Sequence, residues 1–201
     1  MGINIRLAKQ VDLDGIVAIH QAAFNSFFLT SLGKHFLSCY YSAFIKSDKG
    51  VVLCAEKEGN IVGFSACSYF SKGFNSSLIK KNLFRFGLEA VRLVFTRPKA
   101  IVRLARNMNK ESSDAKINDK GQYSELYSIA VSPTCQGEGV GRLLLTATEN
   151  DVREHNKQIS LTTDYFDNEK TIAFYHTLGY QDYYEFVTYP ERRMWRMLKE
   201  L

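Results

Sequence analysis

Only three prolines and one tryptophan occur in the 201 residues. No apolar run approaches the roughly 18 residues that a membrane-spanning helix needs, so no transmembrane segment is expected. The start, Met1-Gly2-Ile3-Asn4-Ile5-Arg6, lacks the basic-then-apolar pattern of a signal peptide, and Arg6 stands where a myristoylation signal needs Ser or Thr. The expected location is cytoplasmic. The four cysteines, Cys39, Cys54, Cys67 and Cys135, form no C-x-x-C pair, and no histidine spacing completes a zinc set. They read as reduced thiols, three in or near a core and Cys135 in a loop, and no metal is expected. The chain is 45% hydrophobic and 13% aromatic, enough for a packed core and too much for a disordered chain.

Charge is unevenly spread. Residues 72–110 hold ten basic side chains and a single acidic one, Glu89, although the whole chain carries only +5. A basic element therefore sits on a mildly acidic body and can attract phosphates, acidic lipid or an acidic substrate. Aromatic residues are not interleaved there as a stacking platform and no recognition motif is present, so nucleic acid is not an expected partner.

Hydrophobic spacing predicts a mixed order of elements. A strand over Ile3–Leu7 precedes a helix capped by Asp12 and running to about Phe24, with Ile16 and Ile19 on its apolar face. A second helix starts at Ser31, where Leu32, Phe36, Leu37, Tyr40 and Phe44 recur at helical spacing. Strands over 51–56 and 61–70 join through Glu58-Gly59-Asn60, a hairpin by its residue types. Leu78–Thr96 reads as one helix, Pro98 opens another through Met108, and the polar run 109–122 reads as a mobile loop. Glu125–Val131 is a strand, Gly139 to about Glu154 a long helix, and Ile159–Thr163 a strand. Asn168–Leu178 is a helix closed by Gly179, and strands over 183–189 and 194–198 end the chain.

The stretch Gln136-Gly137-Glu138-Gly139-Val140-Gly141-Arg142 joins a strand to a helix. A helix N-terminus presents unpaired N–H groups and partial positive charge, and glycines remove the side chains that would keep a phosphate away. This is an anion cradle on physical grounds. It is neither a P-loop, since no G-x-x-x-x-G-K-[ST] exists, nor the dinucleotide fingerprint, since the third glycine of G-x-G-x-x-G would fall on Arg142.

The surrounding residues resemble the GNAT acetyltransferase family. Its loop pattern, Gln/Arg-x-x-Gly-x-Gly/Ala, is matched by Gln136, Gly139 and Gly141 after a strand ending Ile129-Ala130-Val131-Ser132-Pro133. Asn168, Ala173, Tyr175 and Leu178-Gly179-Tyr180 follow in the family's order, and Ile5-Arg6-Leu7-Ala8 with Asp12, Ile16 and Ile19 looks like its first strand and helix. The resemblance covers about 1–70 and 123–201. It implies an α/β (α+β) GNAT fold: a mixed, mostly antiparallel sheet of about seven strands with flanking helices, in a single domain over 1–201. A basic helical insertion lies at about 71–122, between strands 3 and 4.

The resemblance also implies an acetyl-CoA-dependent N-acetyltransferase, with acetyl-CoA as co-substrate and a small-molecule amine as acceptor that attacks directly in a ternary complex. Amides of Gln136, Gly137, Glu138, Gly139, Val140, Gly141 and Arg142 would hold the pyrophosphate. The pantetheine arm would lie along Ile129, Ala130 and Val131, with Asn168 touching it or capping its helix. Tyr175 takes the family's acid position and would protonate the departing sulfur. Glu125 is the candidate base, placed by strand alternation on one face with Tyr127, Ile129 and Val131, and Asp164 or a water chain stands in reserve. His20, His35 and His155 read as partly exposed helical residues, and His176 as pointing away from Tyr175.

The insertion has three readings: a helical lid or homodimer element, a binder of an acidic acceptor such as a nucleotide-linked sugar, or a peripheral contact with an anionic membrane. The segment around His20, Phe24 and Leu29–Leu37 loosely looks like GNAT proteins of bacterial surface-polysaccharide pathways, which points to an amino-sugar acceptor. The rival readings are a non-catalytic CoA-binding sensor and an acyltransferase using a longer acyl group or an alcohol acceptor.

Overall fold

Seven strands and seven helices with both ends among the described residues organise the chain in this computed structural model, which describes residues 2–25, 27–102, 119–188 and 191–201. The strands are β1 (Asn4–Leu7), β2 (Gly50–Lys57), β3 (Asn60–Ser68), β4 (Ser124–Val131), β5 (Gln158–Asp164), β6 (Gln181–Thr188) and β7 (Arg192–Glu200). The helices are α1 (Leu13–Ala23), α2 (Phe28–Ser31), α3 (Lys34–Ile45), α4 (Phe74–Lys81), α5 (Leu83–Thr96), α6 (Val140–Val152) and α7 (Glu169–Thr177). The strands form one sheet in the order β1-β2-β3-β4-β5-β7-β6, in which β4 and β5 pair in parallel and every other neighbour pair is antiparallel. This is the mixed, mostly antiparallel sheet that the family resemblance implies.

Each face of the sheet carries its own core. On one, Val140, Leu144 and Val152 of α6 and Tyr175 of α7 pack on Leu53, Leu126, Ile159 and Leu161. On the other, Ile16 and Val17 of α1 and Leu37, Tyr41 and Phe44 of α3 pack on Val52, Phe64 and Ala66. Gly63 is what lets α6 settle on β3. A Cβ there would stand 3.0 Å from both the Ala130 carbonyl oxygen and Leu144 Cδ1. The β2–β3 hairpin turns at Glu58 (φ 53°) and Gly59 (φ 77°), the paired positive angles of a tight hairpin.

Two local expectations are corrected. The predicted helix 78–96 is two helices, broken at Asn82, whose amide Nδ2 donates to the Leu78 carbonyl at 3.0 Å. The helix expected from Ser31 begins at Lys34, because Gly33 adopts φ 90° and stops α2 from running on. Residues 98–102 are helical as Pro98 suggests, whereas the rest of that predicted helix, and 109–118 of the predicted loop, lie outside the described residues.

Asp12 precedes α1 but does not cap it with its side chain. Its carboxylate instead accepts from Arg6 Nη1 and Nη2 at 2.7 and 2.9 Å and from the Lys9 amide at 2.7 Å, tying β1 to α1. Hydrogen bonding from Arg6 outweighs the burial that opposes ionisation and holds Asp12 below the usual carboxylate range. A depressed folded pKa contributes stability above the unfolded value near about 4, and that contribution is lost as pH falls through the folded value. Asp12→Asn should therefore destabilise by about 1–3 kcal/mol at neutral pH. In urea titrations its deficit against wild type should shrink below about pH 4. A deficit that does not change with pH would contradict this assignment.

Candidate functional site

The glycine-rich loop follows a short 3-10 turn, Pro133–Cys135, and leads into α6. Gly137 and Gly139 adopt φ 85° and 79°, angles that favour glycine, and a Cβ at either would meet nothing within 4 Å. The loop therefore faces open space. Gly139 sits at the N-cap and offers no side chain to cap the helix. Among the described residues no main-chain amide from Gln136 to Arg142 donates to another protein group. The first to do so is Leu143, to the Gly139 carbonyl at 3.1 Å. These seven consecutive N–H groups are thus left without a main-chain acceptor among the described residues, and Gln136 to Gly139 are exposed. Glu138 turns away to an exposed ion pair with Lys57 at 2.7 Å.

The neighbouring strands separate where a chain-like ligand would need room. β4 and β5 pair only at Ser124–Ile159, Glu125–Ser160 and Leu126–Leu161. Beyond that point β4 continues against β3 as far as Val131, while β5 continues against β7 as far as Asp164. The β5-facing edge of β4 is therefore unpaired over 127–131. A bulge marks the parting: Leu126 pairs with Cys67 and Ser128 with Ala66, leaving Tyr127 with no opposite number.

The bulge corrects one expectation. Leu126, Ile129 and Val131 belong to the α6 side of the sheet, but Tyr127 packs in the α1–α3 core. Glu125 does not share a face with Ile129 and Val131, because the extra residue resets the alternation between them.

Tyr175 is 7% exposed, in the same cluster as Val140, Leu126 and Leu161, with Ile129 and Val131 packed against it. Its hydroxyl has no hydrogen-bond partner among the described residues, yet it is not sealed off as the Tyr180 hydroxyl is. Burial pushes its pKa up to about 12, so the hydroxyl stays protonated at physiological pH. His176 points elsewhere, to Asp182 at 2.9 Å, as adjacency on a helix requires. Asn168 precedes α7 without capping it. Its Nδ2 donates to Thr163 Oγ1 at 2.6 Å and to the Asp164 carbonyl at 3.1 Å, binding the helix start to the end of β5.

Glu125 lies in a polar cluster on the α1–α3 side. One carboxylate oxygen accepts from the Ser71 hydroxyl and the other from Arg196 Nη1 at 3.0 Å, with both ionic side chains nearly buried. Arg196 also reaches Ser160 Oγ at 3.2 Å and lies 3.7 Å from Asp119. Asp119 accepts from the hydroxyls of Tyr123 and Tyr184, both at 2.6 Å. Burial pushes its pKa up, but those hydroxyls, the Gly121 amide and the Arg196 charge outweigh it and hold Asp119 below its ordinary value. Asp164 is taken up by Arg192 through two hydrogen bonds of 2.5 and 2.6 Å. The Arg192 guanidinium also stacks 4.1 Å over the Phe27 ring, bringing the α1–α2 connection against the start of β7.

His20, expected to be partly exposed, is 2% exposed. Its Nδ1 bonds the Tyr41 hydroxyl at 2.7 Å, and Tyr41 donates to Ser128 Oγ at 3.0 Å. His20 Nδ1 must then be the donor, which leaves Nε2 a buried acceptor without a partner. Burial lowers its pKa to about 4, so the ring stays neutral. This buried relay pins β4 beside the bulge.

The acetyltransferase (GNAT) family matches residues 14–180. The chain belongs to this family. Its described structure superposes on the ribosomal-protein-S18-alanine N-acetyltransferase of Escherichia coli with a TM-score of 0.61 at 15% identity, covering 99% of this chain and 94% of that one. A histone acetyltransferase HPA2 and related acetyltransferase from Corynebacterium glutamicum ATCC 13032 gives a TM-score of 0.64 at 17% identity, over 100% and 97% of the two chains. At such identities the likeness speaks for the fold alone. In sequence, the chain is similar to a mycothiol acetyltransferase of Rhodococcus jostii (strain RHA1), 32% identical over 74 residues. That match spans 37% of this chain and only 24% of the relative's length.

Within this GNAT chain, sequence reasoning missed Arg196, Asp119, Tyr123, Tyr184 and Ser71, which come together only in three dimensions. One signal was present. Arg196 interrupts an otherwise apolar run, Met194-Trp195 and Met197-Leu198, in a strand bound for the sheet interior.

Proposed function

We propose that this GNAT protein transfers an acetyl group from acetyl-CoA to a primary amine of a small molecule, with an amino sugar as the acceptor class. The whole chain acts as one domain carrying inserted helices between β3 and β4. The observation that carries the reading is the unpaired edge of β4 over 127–131 beside the open amide cradle at 136–142. The fit to coenzyme A is chemical: free N–H groups at a helix start suit a diphosphate, and an unpaired strand edge suits an amide-bearing arm. Bound there, acetyl-CoA would supply an activated acetyl thioester.

The residues then divide the work. Amides of Gln136–Arg142 hold the diphosphate, and Gly137 and Gly139 keep it within reach. Main-chain groups of Ile129, Ala130 and Val131 hold the arm, and an N–H of this edge polarises the thioester carbonyl as its oxygen gains charge. Tyr175 stands on the α6–α7 side, its hydroxyl without a hydrogen-bond partner among the described residues, and gives its proton to the leaving sulfur. Glu125 stands on the opposite side and takes the amine's proton, directly or through water. Its oxygens keep lone pairs beyond those used by Ser71 and Arg196. Asn168 fixes α7, and hence Tyr175, to the end of β5.

A second reading is a CoA-binding sensor without turnover. It is favoured by the engagement of both carboxylates, Glu125 with Arg196 and Asp164 with Arg192. A panel of amines and amino sugars assayed for CoA release from acetyl-CoA separates the two. Acetyl transfer to at least one amine, slowed roughly a hundredfold in Glu125→Gln, is the expected result. Coenzyme binding with no turnover on any acceptor would favour the sensor.

A further inference from the structure

Helix α5 turns a broad apolar face to solvent. Leu93 is buried, and Phe86 packs on α3, where it meets Phe36 with ring centroids 6.0 Å apart. On the far side Phe84, Leu88, Val91 and Phe95 follow one another at steps of four, three and four residues, which places them on one stripe. Phe84 is 78% and Phe95 83% exposed, and the two residues between them are more than half exposed. Among the described residues this stripe has no partner, and an exposed apolar stripe of this size marks an interaction site.

What surrounds the stripe selects the partner. Lys80 precedes it, Lys99 follows it and Arg92 flanks it, all exposed. Across the described residues from 72 to 102 there are seven basic side chains and one acidic, Glu89, which is paired with Arg92. A second copy docked face to face would bring these two basic rims against each other, an unfavourable arrangement for an isologous contact. An anionic lipid surface accepts both features at once: aromatic and aliphatic side chains enter the acyl boundary while lysine and arginine pair with headgroup phosphates. We infer that α5 docks this protein on an anionic membrane surface through Phe84, Leu88, Val91 and Phe95 with a rim of Lys80, Arg92 and Lys99. At the end of the helix, Arg97 donates to the Ser31 carbonyl at 2.6 Å. That bond ties the docking helix to α2, which begins one residue after Phe27 and its stacked Arg192.

The test is co-sedimentation of the full chain with phosphatidylcholine vesicles that contain or lack phosphatidylglycerol. Wild type should bind the anionic vesicles, release with added salt and ignore the neutral ones. The double variant Phe84→Ser, Phe95→Ser keeps every charge and should partition roughly tenfold more weakly or worse. Its thermal transition should stay near that of wild type, because both side chains are exposed. Lys80→Glu with Lys99→Glu should weaken binding through the charge alone. Failure of wild type to bind, equal binding to neutral vesicles, or full binding by the serine variant would each overturn the inference. So would light scattering that finds a wild-type dimer dispersed by the serine variant, since the second copy would then own the face.

Discussion

Gly139→Glu is expected to abolish the thermal stabilisation that coenzyme A confers on the wild-type protein. The substituted side chain has room, since a Cβ at Gly139 meets nothing within 4 Å. Its effects are two. A non-glycine residue at φ 79° adds about 1–2 kcal/mol of backbone strain. More consequentially, a carboxylate then sits among the amides of 136–142 and competes with the diphosphate for the same donors and the same helix terminus. Coenzyme at about 100 times its Kd should stabilise wild type by about 2.7 kcal/mol, a shift of roughly 5–10 °C for a chain of this size. The variant should melt a few degrees lower and show no shift. Gly139→Ala imposes the same strain without the charge and should keep part of the shift. If Gly139→Glu retained the full shift, the diphosphate would have to bind elsewhere.

The second large effect is expected at Tyr175. Among the described residues its hydroxyl has no hydrogen-bond partner, so Tyr175→Phe should fold and melt like wild type within about 0.5 kcal/mol. Turnover should nonetheless fall roughly 10- to 1000-fold, a range typical of losing a general acid. The loss should fall on kcat with coenzyme affinity unchanged, because the hydroxyl acts on the sulfur as charge develops there. A hydroxyl pushed up to about 12 stays protonated through the accessible alkaline range, so its ionisation should not impose an alkaline limb below that pH. Unchanged kcat in the phenylalanine variant would remove Tyr175 from the mechanism.

The local structure around these two residues was legible in the sequence for a physical reason. A helix start with glycines where side chains would obstruct, and a tyrosine one turn before a Leu-Gly stop, are local patterns, and local patterns survive translation into structure. Gly179 at φ 88° closes α7 as its position suggests, with the Tyr180 amide bonded back to the Tyr175 carbonyl at 3.1 Å. What could not be read is what depends on register and on contacts distant in sequence. Alternation alone placed Glu125 beside Ile129 and Val131, and a single unpaired residue, Tyr127, undoes it. A bulge has no reliable residue signature in Leu-Tyr-Ser. His20 looked like an ordinary helical residue, but Phe24, Tyr41 and Phe64 enclose it. The Arg196 cluster draws on the loop at 119–123 and on β4, β5, β6 and β7, so no window of sequence contains it.

The same contrast holds for caps. Asp12 and Asn168 stand where helix caps stand, and their residue types favour the role. In both, a competing partner wins: Arg6 for Asp12, the Thr163 hydroxyl and Asp164 carbonyl for Asn168. The helices keep their starts while these side chains hold neighbouring strands in place, which ties the frame of the site to the fold.

A crystal structure of the protein with coenzyme A bound tests the account most directly. The diphosphate should lie within hydrogen-bond reach of the main-chain amides between Gln136 and Arg142, and the pantetheine arm should run along the unpaired edge of β4 over 127–131. A coenzyme found on another surface, with β4 and β5 closed against each other past Leu126 and Leu161, would contradict it.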